Sequence, residues 1–133
     1  MEPGIYAVLP STISCHSPIY GKELRRINRP SSKLLTVKVG CATSDLGRRC
    51  ASYGRRSEIL FQEELLRDEF AKYDILYIEG FMISRLERAG FKVWRTKNNP
   101  NRKEYFRIKR SDLDTFIRIA KNAVEAASTK LLS

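Results

Sequence analysis

The sequence alternates short β-rich segments with longer segments of helical character, and this alternation constrains the fold more than any other feature. Strands are predicted where aliphatic and aromatic runs end at glycine, proline or charged residues: Ile5–Leu9, Leu34–Val39, Ile59–Phe61, Phe91–Arg95 and Glu104–Ile108. Helices are predicted over about 46–52, from Leu65 or Tyr73 to Ala89, and over about 111–128. The interleaving predicts one α/β (α+β) domain over residues 1–133, with a small, mostly antiparallel sheet of three or more strands flanked by helices.

Glycines and capping residues predict where these elements end. Gly40 is expected to end the second strand, and Gly54 and Gly90 are expected to follow the first two helices. Ser111, followed three residues later by Asp114, has the spacing of a capping box and predicts the start of the last helix.

The charge balance is the most informative feature of the composition. Lys and Arg number 25 against 15 Asp and Glu, which gives a formal net charge of +10. Such an excess favours a polyanionic partner such as nucleic acid, because neutralising phosphates releases counterions. A ribosomal surface, an anionic membrane and plain solubility are the alternatives. No apolar run is long enough to span a bilayer and the first residues do not form a secretory leader, so the expected location is intracellular, cytoplasmic or nuclear.

Cysteine and histidine usage limits the chemistry. No two of the three cysteines form a Cys-x-x-Cys pair, so neither a disulfide framework nor a zinc ribbon is indicated. The single histidine, His16, adjoins Cys15, and two adjacent side chains cannot complete a four-ligand metal site. A general base other than histidine is therefore expected.

Two features suit phosphate and metal chemistry. Arg48 and Arg49 lie in a predicted helix after Gly40, where guanidinium groups and a helix N-terminus could bind phosphate; a solvated helix face is the alternative. Glu79 is the only charge within the apolar stretch Ile75–Ile83, and helical spacing puts it in the core-facing stripe. A carboxylate there needs a partner. Either a salt bridge, for example to Arg48 or Arg49, or a bound Mg²⁺ meets that need, and the spacing does not choose between them.

In order, these segments resemble the GIY-YIG nucleases, and the resemblance covers roughly Gly4 to Ile108. The matching positions are Gly4-Ile5-Tyr6, Lys38-Val39-Gly40 with lysine in place of the usual tyrosine, Arg48 eight residues after Gly40, Glu79 on the long helix, and Glu104-Tyr105-Phe106. The resemblance implies metal-dependent hydrolysis of a DNA phosphodiester at one active site. No motif is specific by itself; the order and spacing of the set carry the resemblance.

The resemblance also implies roles for individual residues. Tyr6 would act as general base or orient the attacking water, with positive charge from Lys38 or Arg48 favouring its phenolate. Arg48 would stabilise charge on the phosphate, and Glu79 would hold Mg²⁺ (or Mn²⁺) at the leaving 3′ oxygen. Strand alternation puts Tyr6 on the face opposite Ile5, from which it is expected to point into a cleft.

Two departures from the family pattern raise alternatives. Lys38 could bind phosphate, lower the pKa of Tyr6 or act as a base itself, and either Tyr53 or Tyr20 could supply the second hydroxyl. The two half-motifs are separated by 31 residues instead of a short hairpin. The basic insertion at about 10–33 is predicted to be a loop or a protruding hairpin, with one helical turn at Gly21–Ile27 as an option. It is either a tolerated surface insertion or an arm that grips DNA; we favour the arm, with DNA contacts from Arg25, Arg26 and Arg29.

Further DNA-backbone contacts are expected from Arg49 and from the basic residues around the later strands, among them Lys103. The aromatic residues within apolar segments are expected to form the core. A non-catalytic nucleic-acid-binding module on the same scaffold is the first alternative function, and a structural protein of a ribonucleoprotein is the second. The sequence does not decide whether two copies pair, so a dimer stays an option.

Overall fold

The computed structural model describes residues 1–17, 19, 21–94 and 104–133, and of residues 14–17 and 21–24 it describes the backbone alone. In this part of the chain the fold is α+β. Its elements are β1 (Gly4–Leu9), β2 (Thr12–Ser17), β3 (Gly21–Arg26), β4 (Leu34–Ala42), α1 (Leu46–Ala51), β5 (Glu58–Glu64), α2 (Lys72–Arg88), β6 (Lys92–Val93), β7 (Tyr105–Lys109) and α3 (Leu113–Leu132). None of the described helices is both long enough and apolar enough to cross a membrane.

Five strands form one antiparallel sheet in the order β5-β1-β4-β7-β6, and β2 pairs with β3 in a separate two-stranded ribbon. In the centre of the sheet, Tyr6 on β1 lies opposite Gly40 on β4, and Val8 lies opposite Lys38. Residues directly opposite one another on paired strands share a face of the sheet. The register therefore places Lys38, Gly40 and Tyr6 on one face.

The two faces of the sheet are covered by different helices. On one face, Ile5 and Ala7 of β1 pack in the main core with the apolar sides of α2 and α3. On the other face, Tyr6 and Val8 form a smaller cluster with Leu46 of α1 and its neighbours. Alternation along β1 produces this division, because successive strand residues point to opposite faces. The expected orientation of Tyr6, opposite Ile5, is confirmed.

The predicted strands are present, although most extend further than the apolar runs that indicated them. Residues 59–61 were only the apolar centre of β5, which spans Glu58–Glu64. β4 continues through Gly40 to Ala42, so the expectation that Gly40 ends this strand is wrong. The physical reason lies in the partner strand, where the ring of Tyr6 covers the space that a side chain at position 40 would fill. Of Phe91–Arg95, only Lys92–Val93 is a strand, and Arg95 lies outside the described residues.

The helices follow the predicted positions with two corrections. α2 begins at Lys72, which selects the later of the two predicted starts. Gly54 and Gly90 both adopt positive φ, as residues that follow a helix often do. The capping box predicted at Ser111 is wrong: residues 110–112 form a 3₁₀ turn, and Asp112 precedes α3 without a side-chain cap. α3 also continues beyond residue 128, to Leu132.

The basic insertion is a β-hairpin, as one of the predicted options had it, and the helical turn at Gly21–Ile27 is wrong because β3 occupies that stretch. One residue, Asn28, fixes the hairpin to the sheet. Its φ is 55°, and its side-chain amide donates to the carbonyls of Pro10 and Thr36 at 2.8 and 2.7 Å while its carbonyl accepts from the Thr36 N–H at 2.7 Å. Asparagine tolerates this left-handed conformation better than most residues, since its side chain bonds nearby backbone.

Candidate active site

The candidate site is built on the central pair of strands, where Tyr6 lies across Gly40. A Cβ atom added at Gly40 would stand 2.6 Å from the Tyr6 hydroxyl oxygen and 2.8 Å from Cζ. No real Cβ contact is that short, so the tyrosine ring and a side chain at position 40 exclude each other. Glycine at this strand position is therefore a condition for the placement of Tyr6.

A second tyrosine meets the Tyr6 hydroxyl. Tyr53 follows α1, and its hydroxyl oxygen lies 2.6 Å from that of Tyr6, with the ring centroids 5.7 Å apart. Of the two candidates for a second hydroxyl, the structure thus places Tyr53 at the site; Tyr20 lies outside the described residues. The Ser57 hydroxyl donates to the Tyr53 carbonyl and also accepts from the Ser11 N–H at 3.2 Å, which fixes the segment that carries Tyr53.

Burial governs the acidity of both phenols. Tyr6 is 0% exposed, whereas an open cleft was expected around it. Burial raises the pKa of Tyr6 above 10, although the bond to Tyr53 and the nearby Arg49 guanidinium oppose the shift. Burial and the bond to Tyr6 also raise the pKa of Tyr53. Both groups are therefore neutral phenols at pH 7 in the free protein.

Arg49 is the arginine of α1 whose guanidinium faces the tyrosine pair. The Tyr6 hydroxyl beside it raises the pKa of Arg49, and the charge of Arg49 also acts on Tyr53, Lys38 and Cys41. Arg48 is exposed, and its backbone N–H donates to the Asp45 carboxylate at 3.0 Å. This capping bond occupies a backbone N–H at the start of α1, which is one of the donors from which a phosphate was expected to accept a hydrogen bond. The two arginines line one shallow recess with Thr43 and Ser44 at the surface.

Lys38 occupies the neighbouring position on the same face, and it is nearly fully buried. Its ammonium group donates to the Glu104 carboxylate in an ion pair and lies 5.1 Å from the centre of the Tyr105 ring. Burial lowers the pKa of Lys38, while Glu104 and the more distant Glu79 oppose this shift. The lowered pKa fits the alternative in which Lys38 takes up a proton, provided that Glu104 is neutralised or moved by substrate.

Glu79 approaches β4 from the opposite layer, because α2 packs on the other face of the sheet. It is half-buried, and among the described residues it takes part in no ion pair within 4.0 Å. The salt bridge to Arg48 or Arg49 that the sequence allowed is therefore not formed. Its carboxylate lies beside the Cys41 thiol, and burial together with this carboxylate raises the pKa of Cys41 to about 12.

The donor set around Glu79 fits Mg²⁺ better than a soft metal. In the part of the chain that the structure describes, no group of three or more His, Cys, Asp and Glu side chains could enclose a metal ion. One hard carboxylate without an ion-pair partner suits Mg²⁺, which commonly keeps several waters and takes further ligands from substrate phosphate. Glu79 would hold such an ion, and the protonated Cys41 thiol beside it would not compete as a ligand.

The remaining predicted DNA contacts are distributed around this centre. Arg25, Arg26 and Arg29 are exposed at the open end and base of the β2–β3 hairpin, away from Tyr6. Lys103 lies outside the described residues. The structure thus places Tyr6, Lys38 and Arg49 on one side of β4 and Glu79 on the other side, beside Cys41, and it leaves the hairpin arginines in a separate place.

Two residues of this arrangement gave little sequence signal. Cys41 is adjacent to the Gly40 position but belongs to no motif, and its contact with Glu79 depends on how α2 packs. Glu104 stood in a matched motif without an assigned role. It directly precedes β7, whose first residue Tyr105 lies opposite Lys38, and its carboxylate forms the ion pair with the Lys38 ammonium group.

The chain was compared with protein-family models, with curated proteins and with solved structures, and none of the three comparisons gave a match.

Proposed function

We propose that the chain is a GIY-YIG-type endonuclease that hydrolyses DNA phosphodiester bonds with the help of Mg²⁺. The observation that carries the proposal is the convergence on one strand pair of two phenols in hydroxyl contact, one guanidinium and one buried lysine, with an unpaired carboxylate approaching from α2. Structural cores rarely collect this many ionisable groups with displaced pKa values, whereas active sites regularly do.

The reaction assigned to the site is attack of water on phosphorus with cleavage of the bond to the 3′ oxygen. The water forms the new P–O bond, loses a proton to a base of the site, and the 3′ oxygen leaves with the bonding electron pair and is protonated from solvent. Tyr6 would orient the water through its hydroxyl once the segment that carries Tyr53 moves, because in the structure this hydroxyl is buried and contacts that of Tyr53. Glu79 would hold Mg²⁺, which would supply electrostatic stabilisation of the leaving oxygen.

Arg49 is positioned to bind a non-bridging phosphate oxygen and to stabilise its charge in the transition state. Its charge also favours the phenolate form of Tyr6 against the effect of burial. Lys38 is the alternative to Tyr6 as the base that takes the proton from the attacking water, because burial lowers the pKa of Lys38 toward the range where a lysine transfers protons. Arg48, the position that the family resemblance indicates, stays a candidate for a second phosphate contact from the neighbouring turn.

Plasmid cleavage in Mg²⁺ and in EDTA tests the proposal. The native chain is expected to nick or cut in Mg²⁺ only, and Glu79→Gln is expected to lose about a hundredfold or more in rate, because a metal ligand contributes several kcal/mol to transition-state stabilisation. Glu87→Gln is the matched control, since Glu87 lies on the same helix with similar burial. Full cleavage by Glu79→Gln, or equal loss in both variants, would remove the site assignment.

A non-catalytic DNA-binding module is the second candidate function, and the complete burial of Tyr6 favours it. A tyrosine sealed beneath α1 contacts a scissile phosphate only if the segment carrying Tyr53 moves. This candidate predicts salt-sensitive DNA binding by a chain that does not cleave any DNA substrate in Mg²⁺ or Mn²⁺. In either case a DNA partner implies an intracellular location. A single site cuts one strand, so double-strand cleavage would need a dimer or two successive events.

A further inference from the structure

A second basic site lies at the base of the hairpin, apart from the tyrosines. A cleft of about 990 Å³ opens there between the hairpin, the segment before β5 and the start of α3. Four arginines from three segments of the chain line it, and we call it the hairpin-base cleft: Arg26 and Arg29 at the end of the hairpin, Arg56 before β5 and Arg110 before α3. Leu9 and Leu35, at the ends of the central strands, contribute apolar lining.

The positive charge of the hairpin-base cleft is left largely uncompensated. Glu58 is the only acidic residue of its lining in the part of the chain that the structure describes. Among the side chains that the structure describes, none of the four arginines has a carboxylate within 4.0 Å. Guanidinium groups gathered without carboxylate partners repel one another, and a bound polyanion removes that repulsion. Charge complementarity therefore points to a phosphate-bearing occupant.

The cleft is also held in shape before any ligand binds. The Arg110 side chain donates to the Ser32 carbonyl at 2.8 Å and to the Arg29 carbonyl at 3.1 Å, so it fixes the turn that carries Arg29. The Asn28 bonds to Pro10 and Thr36 fix the same connection on the other side. Preorganised donors lose less conformational entropy on binding than donors on a mobile arm.

One short segment connects the hairpin-base cleft to the candidate active site. Tyr53, whose hydroxyl contacts Tyr6, and Arg56, which lines the cleft, are three residues apart, and Ser57 ties this segment to Ser11 at the hairpin base. Along β1, Leu9 is three residues from Tyr6, which corresponds to roughly 10 Å at strand spacing.

We propose that the hairpin-base cleft binds the sugar–phosphate backbone of the same DNA duplex that the tyrosine site, formed around Tyr6 and Tyr53, cleaves. This inference rests on the proposed function for the identity of the polymer. A duplex is preferred over a single phosphate or nucleotide because four arginines on three segments line a cleft of about 990 Å³, so that together they would engage more than one phosphate. The cleft thus supplies affinity and register, and the tyrosine site supplies the chemistry.

Binding of a short labelled DNA duplex, measured by fluorescence anisotropy in EDTA over a series of salt concentrations, tests the inference without any cleavage step. The variant is Arg29→Ala/Arg56→Ala, which spares Arg110 and its structural hydrogen bonds. The control is Arg88→Ala/Arg118→Ala, which removes two exposed arginines from α2 and α3. The slope of log K against log salt is expected to become shallower by about 2 in the cleft variant and to stay unchanged in the control, because each phosphate contact contributes about 1.

The outcomes separate this inference from the proposed function. A native chain that does not cleave DNA, with a shallower slope in the cleft variant, supports the cleft and removes the nuclease. A native chain that cleaves DNA, with equal slopes in both variants, overturns the cleft and leaves the nuclease standing. Tighter binding of a matched RNA duplex overturns the choice of DNA. Thermal melting verifies that the variants fold. If the double variant does not fold, the single variant Arg56→Gln replaces it, and it is expected to make the slope shallower by about 1.

Discussion

The tyrosine site and the hairpin-base cleft share the two central strands but differ in how their charged groups meet solvent. In the site, Tyr6 and Lys38 are 0% and 5% exposed, so burial displaces their pKa values and neighbouring charges act on them strongly. In the cleft, the four arginines are exposed and act through screened charge. The comparison teaches that the two regions differ in the burial of Tyr6 and Lys38, whereas Arg49, although it belongs to the site, is exposed like the cleft arginines.

The largest expected effect tests whether substitutions in the tyrosine site lower the cleavage rate while substitutions in the cleft lower the affinity for DNA. Arg49→Ala is expected to reduce the cleavage rate at saturating DNA by about 100- to 1000-fold, because a donor to transition-state charge contributes on that scale. Arg48→Ala is the adjacent control and is expected to lose less than about tenfold: both arginines are exposed, but it is Arg49 that acts on the Tyr6 hydroxyl. Single-turnover cleavage gives both values.

The result can contradict the comparison in two ways. A loss for Arg48→Ala equal to or larger than that for Arg49→Ala would show that the family position, not the observed contact with Tyr6, identifies the functional arginine. If the cleft variant Arg29→Ala/Arg56→Ala cleaves more slowly at saturating DNA while its DNA affinity is unchanged, the cleft contributes to rate and not to affinity, and the distinction between the two regions is wrong.

The next effect concerns the packing that makes the tyrosine site possible. Gly40→Ala places a methyl group against the Tyr6 ring, and such overpacking is expected to lower the free energy of unfolding by about 1–3 kcal/mol. Gly80→Ala is the matched control on α2, because no atom would lie within 4 Å of its added Cβ. It is expected to raise the free energy of unfolding by about 0.5–1 kcal/mol, since alanine favours the helix over glycine.

Urea unfolding monitored by circular dichroism measures both changes. Equal stability of native chain and Gly40→Ala would mean that Tyr6 does not lie across position 40. Loss of stability in Gly80→Ala would mean that the outer face of α2 is packed against something that the described residues do not include.

The smallest effect is a loss of stability at alkaline pH. A group with a raised folded-state pKa stabilises the fold below its unfolded pKa and loses that contribution as pH rises through the folded pKa. The stabilising contribution of the raised Cys41 pKa is lost between about pH 9 and about pH 12. The contribution of Cys50 also begins to be lost near pH 9, and those of Tyr6 and Tyr53 begin to be lost near pH 10. The lowered pKa of Lys38 has the opposite sign, because stability then rises with pH up to about 10.5.

Melting temperatures between pH 9 and 12 are therefore expected to fall, and Tyr53→Phe is expected to flatten the fall above pH 10, since one group with a raised pKa is gone. Tyr73→Phe is the control, because Tyr73 is 84% exposed. An identical slope in the native chain and Tyr53→Phe would mean that the pair of phenols is open to solvent.

The sequence predicted the strands and helices well because each depends on local pattern. Helical spacing in α2 and alternation in β1 are properties of neighbouring residues, so Tyr6 could be assigned opposite Ile5 before its surroundings were known. Ends of elements were less predictable. Gly40 resembles a strand terminator, yet it lies inside β4, because the ring of Tyr6 on the partner strand occupies its side-chain space.

The sequence predicted most of the residues that form the candidate site, but it did not predict which of them contact one another. The resemblance named Tyr6, Lys38 and Glu79, and the register of β1 with β4 brings the first two to one face. It named Arg48 for the phosphate, whereas the turn of α1 directs Arg49 toward Tyr6. The choice between neighbouring helix residues depends on how α1 sits on the sheet, which no local pattern encodes.

The sequence by itself determined the α+β class, the excess of positive charge and the residues from which a site could be built, because those follow from composition and periodicity. The tertiary structure decided which residues meet. It placed Tyr53 on Tyr6, Glu104 on Lys38 and Glu79 beside Cys41, and it gathered arginines from three separated segments into one cleft. These contacts join residues far apart in the chain, and their geometry is set by strand register and helix packing.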